Sequence, residues 1–239
     1  MPAEPRPYKI LAGIVPCPHG WVVLRARLAG ITLAAEGATV ERSLRDLLDE
    51  RPMFDAAAID APIGLDDEPG LPFRQCDEEA REYVGWPRAV AIYGVGSRSS
   101  YEYVTGTQAA QHEPWMNGAD KRRHARLREV TMEIQPHHAR RIAAGHPDVS
   151  FTAMNGDVGL RTSPWHEDGR QERLELIRQQ LPGLDEVVSR TPPEGAHPKM
   201  VVDAAAMLWT ARRQAGRAIS RFPLDPVWDS EGIRMQLVR

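Results

Sequence analysis

The sequence predicts an α/β fold with a mixed central sheet, in which a three-strand antiparallel meander is extended by parallel strands and flanked by helices. Two observations lead to this fold class. Three strand-like stretches follow one another over residues 9–40 with only short turns between them, which is typical of a meander. A stretch with helical spacing then precedes a short, wholly apolar strand, as expected when a covered strand enters the sheet through a helical crossover.

The first elements are predicted from runs of apolar residues. Lys9–Val15 (KILAGIV) and Trp21–Leu28 (WVVLRARL) form the first two strands, and Ala29-Gly30 turns the chain into a third strand over Ile31–Val40. A short helix then leads to the fourth strand, Ala56–Asp60.

The rest of the chain is predicted to be mainly helical. Glycine just after a helix and proline at its first position mark two of the helix ends. The predicted helices are Arg74–Val84, closed by Gly85; Asp120–Ile134, ended by Pro136; Asp168–Leu181; and a last long helix that begins at Pro198 and ends at Gly216.

The chain is interpreted as a single domain over residues 1–239, because no internal repeat or low-complexity tract divides it. Pro192–Gly195 is the best candidate for a linker, but it lies too late to separate comparable domains. Residues 87–118 are long and weakly periodic. We expect a lid or an insertion there, since loops of this length usually have a function.

The composition, 42% hydrophobic and 26% charged, is typical of a soluble globular protein. A net charge of −3 argues against a strongly basic surface for nucleic acid, but it leaves room for a local basic groove. The two cysteines, Cys17 and Cys76, favour a reducing compartment. With no signal-like start and no apolar stretch of membrane length, we expect a cytoplasmic protein without membrane contact. The sequence does not identify a protein partner.

Asp203 is the strongest single indication of a functional site. It is the only charged residue of Met200–Ala211, a stretch that is apolar nearly all round and therefore expected to be buried. A buried aspartate needs a compensating partner. Lys199, one helical turn earlier, is the simplest partner, and a metal ion is the alternative.

Asp60 ends an apolar strand just before Pro62 and Gly64 interrupt it. Taken alone, it is explained as a turn residue whose carboxylate bonds to nearby backbone. Together with Asp203 it resembles a ribonuclease-H-type site, where an acid at a strand end and an acid on a late helix help to hold Mg²⁺ or Mn²⁺. The two ions of such a site lie ~3.5–4 Å apart. Hard cations of this kind prefer carboxylate oxygens.

Asp148 is a third candidate ligand and catalytic residue, within His146-Pro147-Asp148-Val149-Ser150-Phe151. In an extended stretch, Val149 and Phe151 would face the core and Asp148 the opposite side. The alternatives are an aspartate that begins a helix and an aspartate in a surface turn.

A basic helical face over residues 121–128 is the candidate for nucleic-acid binding. Charge runs of this kind are usually solvated surfaces. Contact with a phosphate backbone is the alternative, and it would make binding depend on salt. The residues predicted for this contact are Lys121, Arg122, Arg123 and Arg126.

These motifs together resemble the DUF429 family, whose members are often described as ribonuclease-H-like nucleases. The resemblance spans nearly the whole chain in the family's order, and it implies a ribonuclease-H-like α/β domain. The matching segments are Cys17–Val22, Ile59–Leu65, Arg74–Asp77 with Ala80-Arg81, His146–Phe151, Asn155-Gly156, Gly169-Arg170 with Glu172–Leu174, and Asp203-Ala204 with Trp209–Arg213.

The chain departs from the family pattern at several acidic positions. Val15 stands where the family usually carries the first-strand aspartate, which in this fold normally bridges both metal ions. Ala144 and Asp148 replace an acid and a glutamate, and Lys199 and Met200 replace acids ahead of the last helix's aspartate. These departures favour one metal ion over two and indicate a weakened or lost hydrolase.

Three functions remain open from the sequence. The first is a Mg²⁺- or Mn²⁺-dependent phosphodiester hydrolase acting on nucleic acid, which Asp60 and Asp203 support. The second is a catalytically lapsed ribonuclease-H-like protein that binds nucleic acid or a protein partner, which Val15 supports. The third is a different hydrolase or a transferase that uses the cleft under a lid at 87–118. The fold alone does not distinguish them.

Overall fold

The computed structural model describes residues 6–239 and has a five-stranded mixed sheet at its centre. The strands are β1 (Lys9–Cys17), β2 (Gly20–Ala29), β3 (Thr32–Glu41), β4 (Ala56–Ile59) and β5 (Ile142–Ala144). They lie in the order β3-β2-β1-β4-β5. The first three strands pair antiparallel, whereas β4 and β5 run parallel to β1. The predicted fold class, a ribonuclease-H-like mixed sheet flanked by helices, is confirmed.

The long helices agree with their predicted bounds within two residues at each end. Gly85, with a φ of 70°, ends the second helix, and Pro198 begins the last one. The helices in the described part of the chain are α1 (Leu44–Asp49), α2 (Gln75–Val84), α3 (Gly106–Ala109), α4 (Gly118–Glu133), α5 (Pro147–Met154), α6 (Glu167–Gln180), α7 (Leu184–Val188) and α8 (Pro198–Ala215).

The meander extends further than predicted at the tight turn between β1 and β2. β1 continues through Pro16 to Cys17, which pairs with Gly20. A side chain at Gly20 would collide with the chain, because an added Cβ would lie 2.0 Å from the carbonyl oxygen of Glu41. The close turn places the end of β1 next to the end of β4.

Two of the elements that were not predicted, β5 and α5, position the site. β5 pairs with β4 and has only three residues. The extended conformation expected for His146–Phe151 is wrong, because the chain forms α5 there. His146 is the N-cap, and its Nδ1 accepts a hydrogen bond from the backbone N–H of Asp148 at 3.2 Å. The alternative of an aspartate in the first turn of a helix is therefore confirmed.

The sheet is covered on both faces. One face packs against α5, α6, α7 and α8, and the other packs mainly against α1 and α4. Gly13 on β1 allows the closest approach, because a Cβ at this position would lie 1.9 Å from the carbonyl oxygen of Ala204 on α8. The backbone of α8 therefore rests directly on the central strand.

The segment 87–118 contains two short 3₁₀ turns, Arg88–Ala91 and Arg98–Glu102, and the helix α3. The buried carboxylate of Glu113 holds two parts of this segment together. Glu113 accepts hydrogen bonds from the backbone N–H of Ser97 at 2.9 Å and from Nε1 of Trp115 at 2.8 Å. A lid role for this segment stays a prediction.

The last segment adds a two-stranded ladder, β6 (Arg221–Phe222) with β7 (Leu237–Val238). Leu237 and Val238 are buried, and β7 packs near β5 and α2. Among residues 6–239, no helix is both long enough and apolar enough to cross a membrane.

Candidate functional site

A cavity of about 570 Å³ opens at the carboxyl ends of β1 and β4, bordered by α4, α5 and the first turns of α8. We call it the main cleft. Lys121 is exposed and lies outside this lining. The other predicted site residues all line the cleft: Asp60, Asp148, Asp203, Arg122, Arg123 and Arg126.

Asp60 follows β4 directly and is half-buried at the floor of the main cleft. Its backbone N–H donates to the carbonyl oxygen of Ile14 at 2.8 Å, which holds it to the end of β1. Its carboxylate forms no hydrogen bond or ion pair with any residue in the described range 6–239. The carboxylate is thus available to a ligand, and it does not bond to the turn backbone in the way a turn aspartate would.

Asp203 lies on α8 with only 3% of its surface exposed, and its Oδ2 forms an ion pair with Nζ of Lys199. This is the partner expected one helical turn earlier. Burial raises the pKa of Asp203, Lys199 opposes the rise, and the charges of Asp60 and Asp148 add to it. Burial alone would lower the pKa of Lys199, but Asp203, Asp60 and Asp148 together raise it above its usual value. Lys199 forms its ion pair with Asp203 alone.

Asp148 is 5% exposed and lies between two arginines. Its Oδ1 accepts from Nη2 of Arg173 at 2.9 Å, and its Oδ2 accepts from Nη2 of Arg88 at 2.8 Å. Burial would raise its pKa, but His146 and the two guanidinium groups outweigh that effect and lower the pKa to about 2. Asp148 is therefore ionised and bound on both oxygens.

The arginines of α4 differ in how firmly they are held. Arg126 donates to the carbonyl oxygen of Pro18 at 3.2 Å and forms an ion pair with Glu129 at 3.1 Å, so it ties α4 to the β1–β2 turn. Arg122 and Arg123 have no acidic partner within residues 6–239. The guanidinium carbon of Arg123 lies 4.7 Å from the centre of the Tyr93 ring. These two guanidinium groups can reach a ligand in the main cleft.

The family model of DUF429, described as a protein of unknown function, matches residues 13–227. The chain belongs to the DUF429 family. No curated protein and no solved structure gave a match. The family resemblance inferred from the motifs is thus confirmed, while the nuclease activity stays a prediction.

Two further residues of the DUF429 chain, which were not predicted to have a role, bind the carboxylate of Asp148. Arg88 comes from the first 3₁₀ turn of segment 87–118, and Arg173 comes from α6. The only signal in the sequence was that Arg173 falls within one of the DUF429 motifs, Glu172–Leu174. Arg173 is fully buried, and its guanidinium needs the carboxylate of Asp148.

A two-metal centre needs several carboxylates with free oxygens around one point. In this DUF429 chain Asp148 has both oxygens bound by arginine, Asp203 has one bound by Lys199, and the buried Val15 takes the first-strand position. Within residues 6–239 there is no group of three His, Cys, Asp or Glu side chains that could hold a metal ion. These residues do not fit a two-metal centre, and binding of Mg²⁺ or Mn²⁺ stays a prediction.

Proposed function

We propose that this DUF429 protein binds the phosphate backbone of nucleic acid in the main cleft and that it does so without hydrolysing it. One observation carries the proposal. The two most buried acids of the cleft, Asp148 and Asp203, are already neutralised by protein cations, while Arg122 and Arg123 line the same cavity without an acidic partner among residues 6–239.

The charge of the main cleft supports an anionic ligand. Five arginines or lysines and three aspartates line it, which leaves a formal charge of +2 with His146 neutral. The whole chain carries −3. A cleft that is positive on an acidic protein concentrates anions locally. Arginine suits phosphate in particular, because its planar guanidinium can donate two parallel hydrogen bonds to phosphate oxygens.

The internal pairing of the acids explains why binding without cleavage is favoured. A metal ion that binds both oxygens of Asp203 would have to displace the ammonium group of Lys199 from Oδ2. At Asp148 it would compete with two guanidinium groups. Separating either pair would leave a buried charge uncompensated, which is costly.

The second candidate function is a Mg²⁺- or Mn²⁺-dependent phosphodiester hydrolase with Asp60, Asp203 and Asp148 as ligands. One feature favours it. The free carboxylate of Asp60 lines the cleft together with Asp203, and its charge contributes to the raised pKa of Asp203. A cation bound between these two carboxylates would relieve their repulsion.

Fluorescence anisotropy with labelled single-stranded RNA, single-stranded DNA and duplexes tests binding. Replacing Arg122 and Arg123 together by glutamine should weaken binding at least tenfold. It should also reduce the slope of log K against log salt by about 2, since each phosphate contact contributes about 1. Lys121→Gln is the matched control, because Lys121 is on the same helix but outside the cleft. Equal losses in both variants would contradict binding in the main cleft.

A nuclease assay with Mg²⁺ and Mn²⁺ separates the two candidates. Under the proposed function, the wild type cleaves no faster than Asp60→Asn, and both bind nucleic acid. Metal-dependent cleavage by the wild type that is abolished in Asp60→Asn would replace the proposal with the hydrolase.

A further inference from the structure

A second cavity of about 470 Å³ lies at the opposite end of α8 from the main cleft. Gln214, in the last turn of α8, lines it. At a rise of 1.5 Å per residue, Gln214 is about 16 Å along the helix axis from Asp203. The other walls are β5, the segment after α4 and residues from the C-terminal segment. Trp228, Arg234 and Gln236 in this lining lie beyond residue 227, where the DUF429 match ends.

Three arginines and no acidic residue line the second cavity. They are Arg140, Arg221 and Arg234. Within the described residues 6–239, none of the three forms an ion pair or donates a hydrogen bond to an acid. Three uncompensated guanidinium groups around one cavity, on a chain with a net charge of −3, indicate a site for an anion.

The second cavity also has an aromatic surface. Trp228 is 57% exposed, and the guanidinium carbon of Arg234 lies 4.7 Å from the centre of its ring. An indole next to a guanidinium group offers a flat surface on which a planar ring can stack.

We propose that the second cavity binds a mononucleotide. The arginines bind its phosphate, and Trp228 stacks on its base. The volume falls within the ~300–1,000 Å³ range of small-molecule sites. Inorganic phosphate would satisfy only the arginines. This proposal is independent of nucleic-acid binding in the main cleft.

Isothermal titration of the full chain with adenosine monophosphate, adenosine and inorganic phosphate tests the ligand class. Adenosine monophosphate should bind saturably, and adenosine and phosphate should each bind at least tenfold more weakly. Equal affinity for phosphate and for the nucleotide would overturn the proposal, because the base would then contribute nothing. Absence of saturable nucleotide binding would overturn it as well.

Substitutions in each of the two cavities test where the nucleotide binds. Arg221→Gln with Arg234→Gln should weaken binding of adenosine monophosphate at least tenfold, while Arg122→Gln with Arg123→Gln, in the main cleft, should leave it within twofold. The reverse pattern would place the nucleotide in the main cleft and overturn the proposal. Thermal unfolding of each variant controls for loss of folding.

Trp228→Ala separates the base from the phosphate, because it removes the stacking surface and keeps the three arginines. It should weaken binding of adenosine monophosphate at least threefold and leave binding of phosphate unchanged. An equal effect on both ligands would overturn the assigned role of the indole. An acidic peptide that binds with the same sensitivity to Arg221 and Arg234, in the absence of nucleotide binding, would replace the mononucleotide with a protein partner.

Discussion

At the scale of single residues, the main feature is that protein side chains neutralise the acids of the main cleft. Lys199 pairs with Asp203, and Arg88 and Arg173 pair with Asp148. Asp60 alone is left without a partner in the described range. Lys199 thus supplies the positive charge that compensates the buried Asp203, which leads to the first prediction.

Replacing Lys199 by alanine should open the cleft to a divalent cation, because it frees Oδ2 of Asp203 and removes the positive charge. In calorimetric titrations, Mn²⁺ should bind Lys199→Ala at least tenfold more tightly than the wild type. Adding Asp60→Asn should abolish the gain, and Lys121→Ala should show none. If Lys199→Ala binds Mn²⁺ no better than the wild type, Lys199 does not take the place of a cation.

Asp148→Asn should destabilise the protein in a pH-dependent way. The pKa is lowered from 3.8 to about 2 in the folded state, so the ionised form stabilises the fold above about pH 4. This contribution, about 2 kcal/mol, is lost as the pH falls towards 2. At pH 7 the variant should lose about 3 kcal/mol or more, since Arg173 is left buried and unpaired. Chemical denaturation from pH 7 to 2 should show the two proteins converging; a constant difference would contradict the role of the charge.

At the scale of elements, the contact between β1 and α8 determines where Asp203 lies. Gly13 allows the helix backbone to touch the strand, so the first turns of α8 reach the ends of β1 and β4. The position has no room for a side chain. The distance between Asp203 and Asp60 thus depends on a residue with no chemical role of its own.

Gly13→Ala should lower the free energy of unfolding by about 2–3 kcal/mol, because its methyl group would overlap the backbone of α8. Denaturant titration measures this loss. Gly70→Ala is the matched control, since the nearest atom to an added Cβ there is 4.0 Å away, and it should change stability by less than about 0.5 kcal/mol. If Gly13→Ala is as stable as the control, α8 can move away from β1 without a loss of stability.

Most of the fold could be predicted from the sequence, because the long elements have clear periodicity. The meander, the crossover into β4 and the long helices follow from it. β5 was missed because three apolar residues carry no period, and α5 was missed because its eight residues are buried nearly all round and show no amphipathic period. That Asp60 and Asp203 line one cleft follows from the fold, but the pairing of Asp148 depends on arginines from distant segments. Contacts of that kind arise only from tertiary packing.

At the scale of the whole molecule, the distribution of charge over the surface says more about ligand binding than the net charge does. The chain carries −3, yet both large cavities expose arginines that have no acidic partner among residues 6–239. The two cavities lie at opposite ends of α8. This distribution of charge favours anionic ligands in the two cavities over the rest of the surface.

The ion pair of Lys199 with Asp203 gives the main cleft a positive charge that belongs to the protein itself. A lysine cannot dissociate from the chain, so the positive charge beside Asp203 is present at every concentration of free Mg²⁺. If the proposed function is right, a chelator would not release nucleic acid from the main cleft. Anisotropy titrations with and without EDTA, at matched ionic strength, should superimpose. The protein would then need no free Mg²⁺ to hold its ligand.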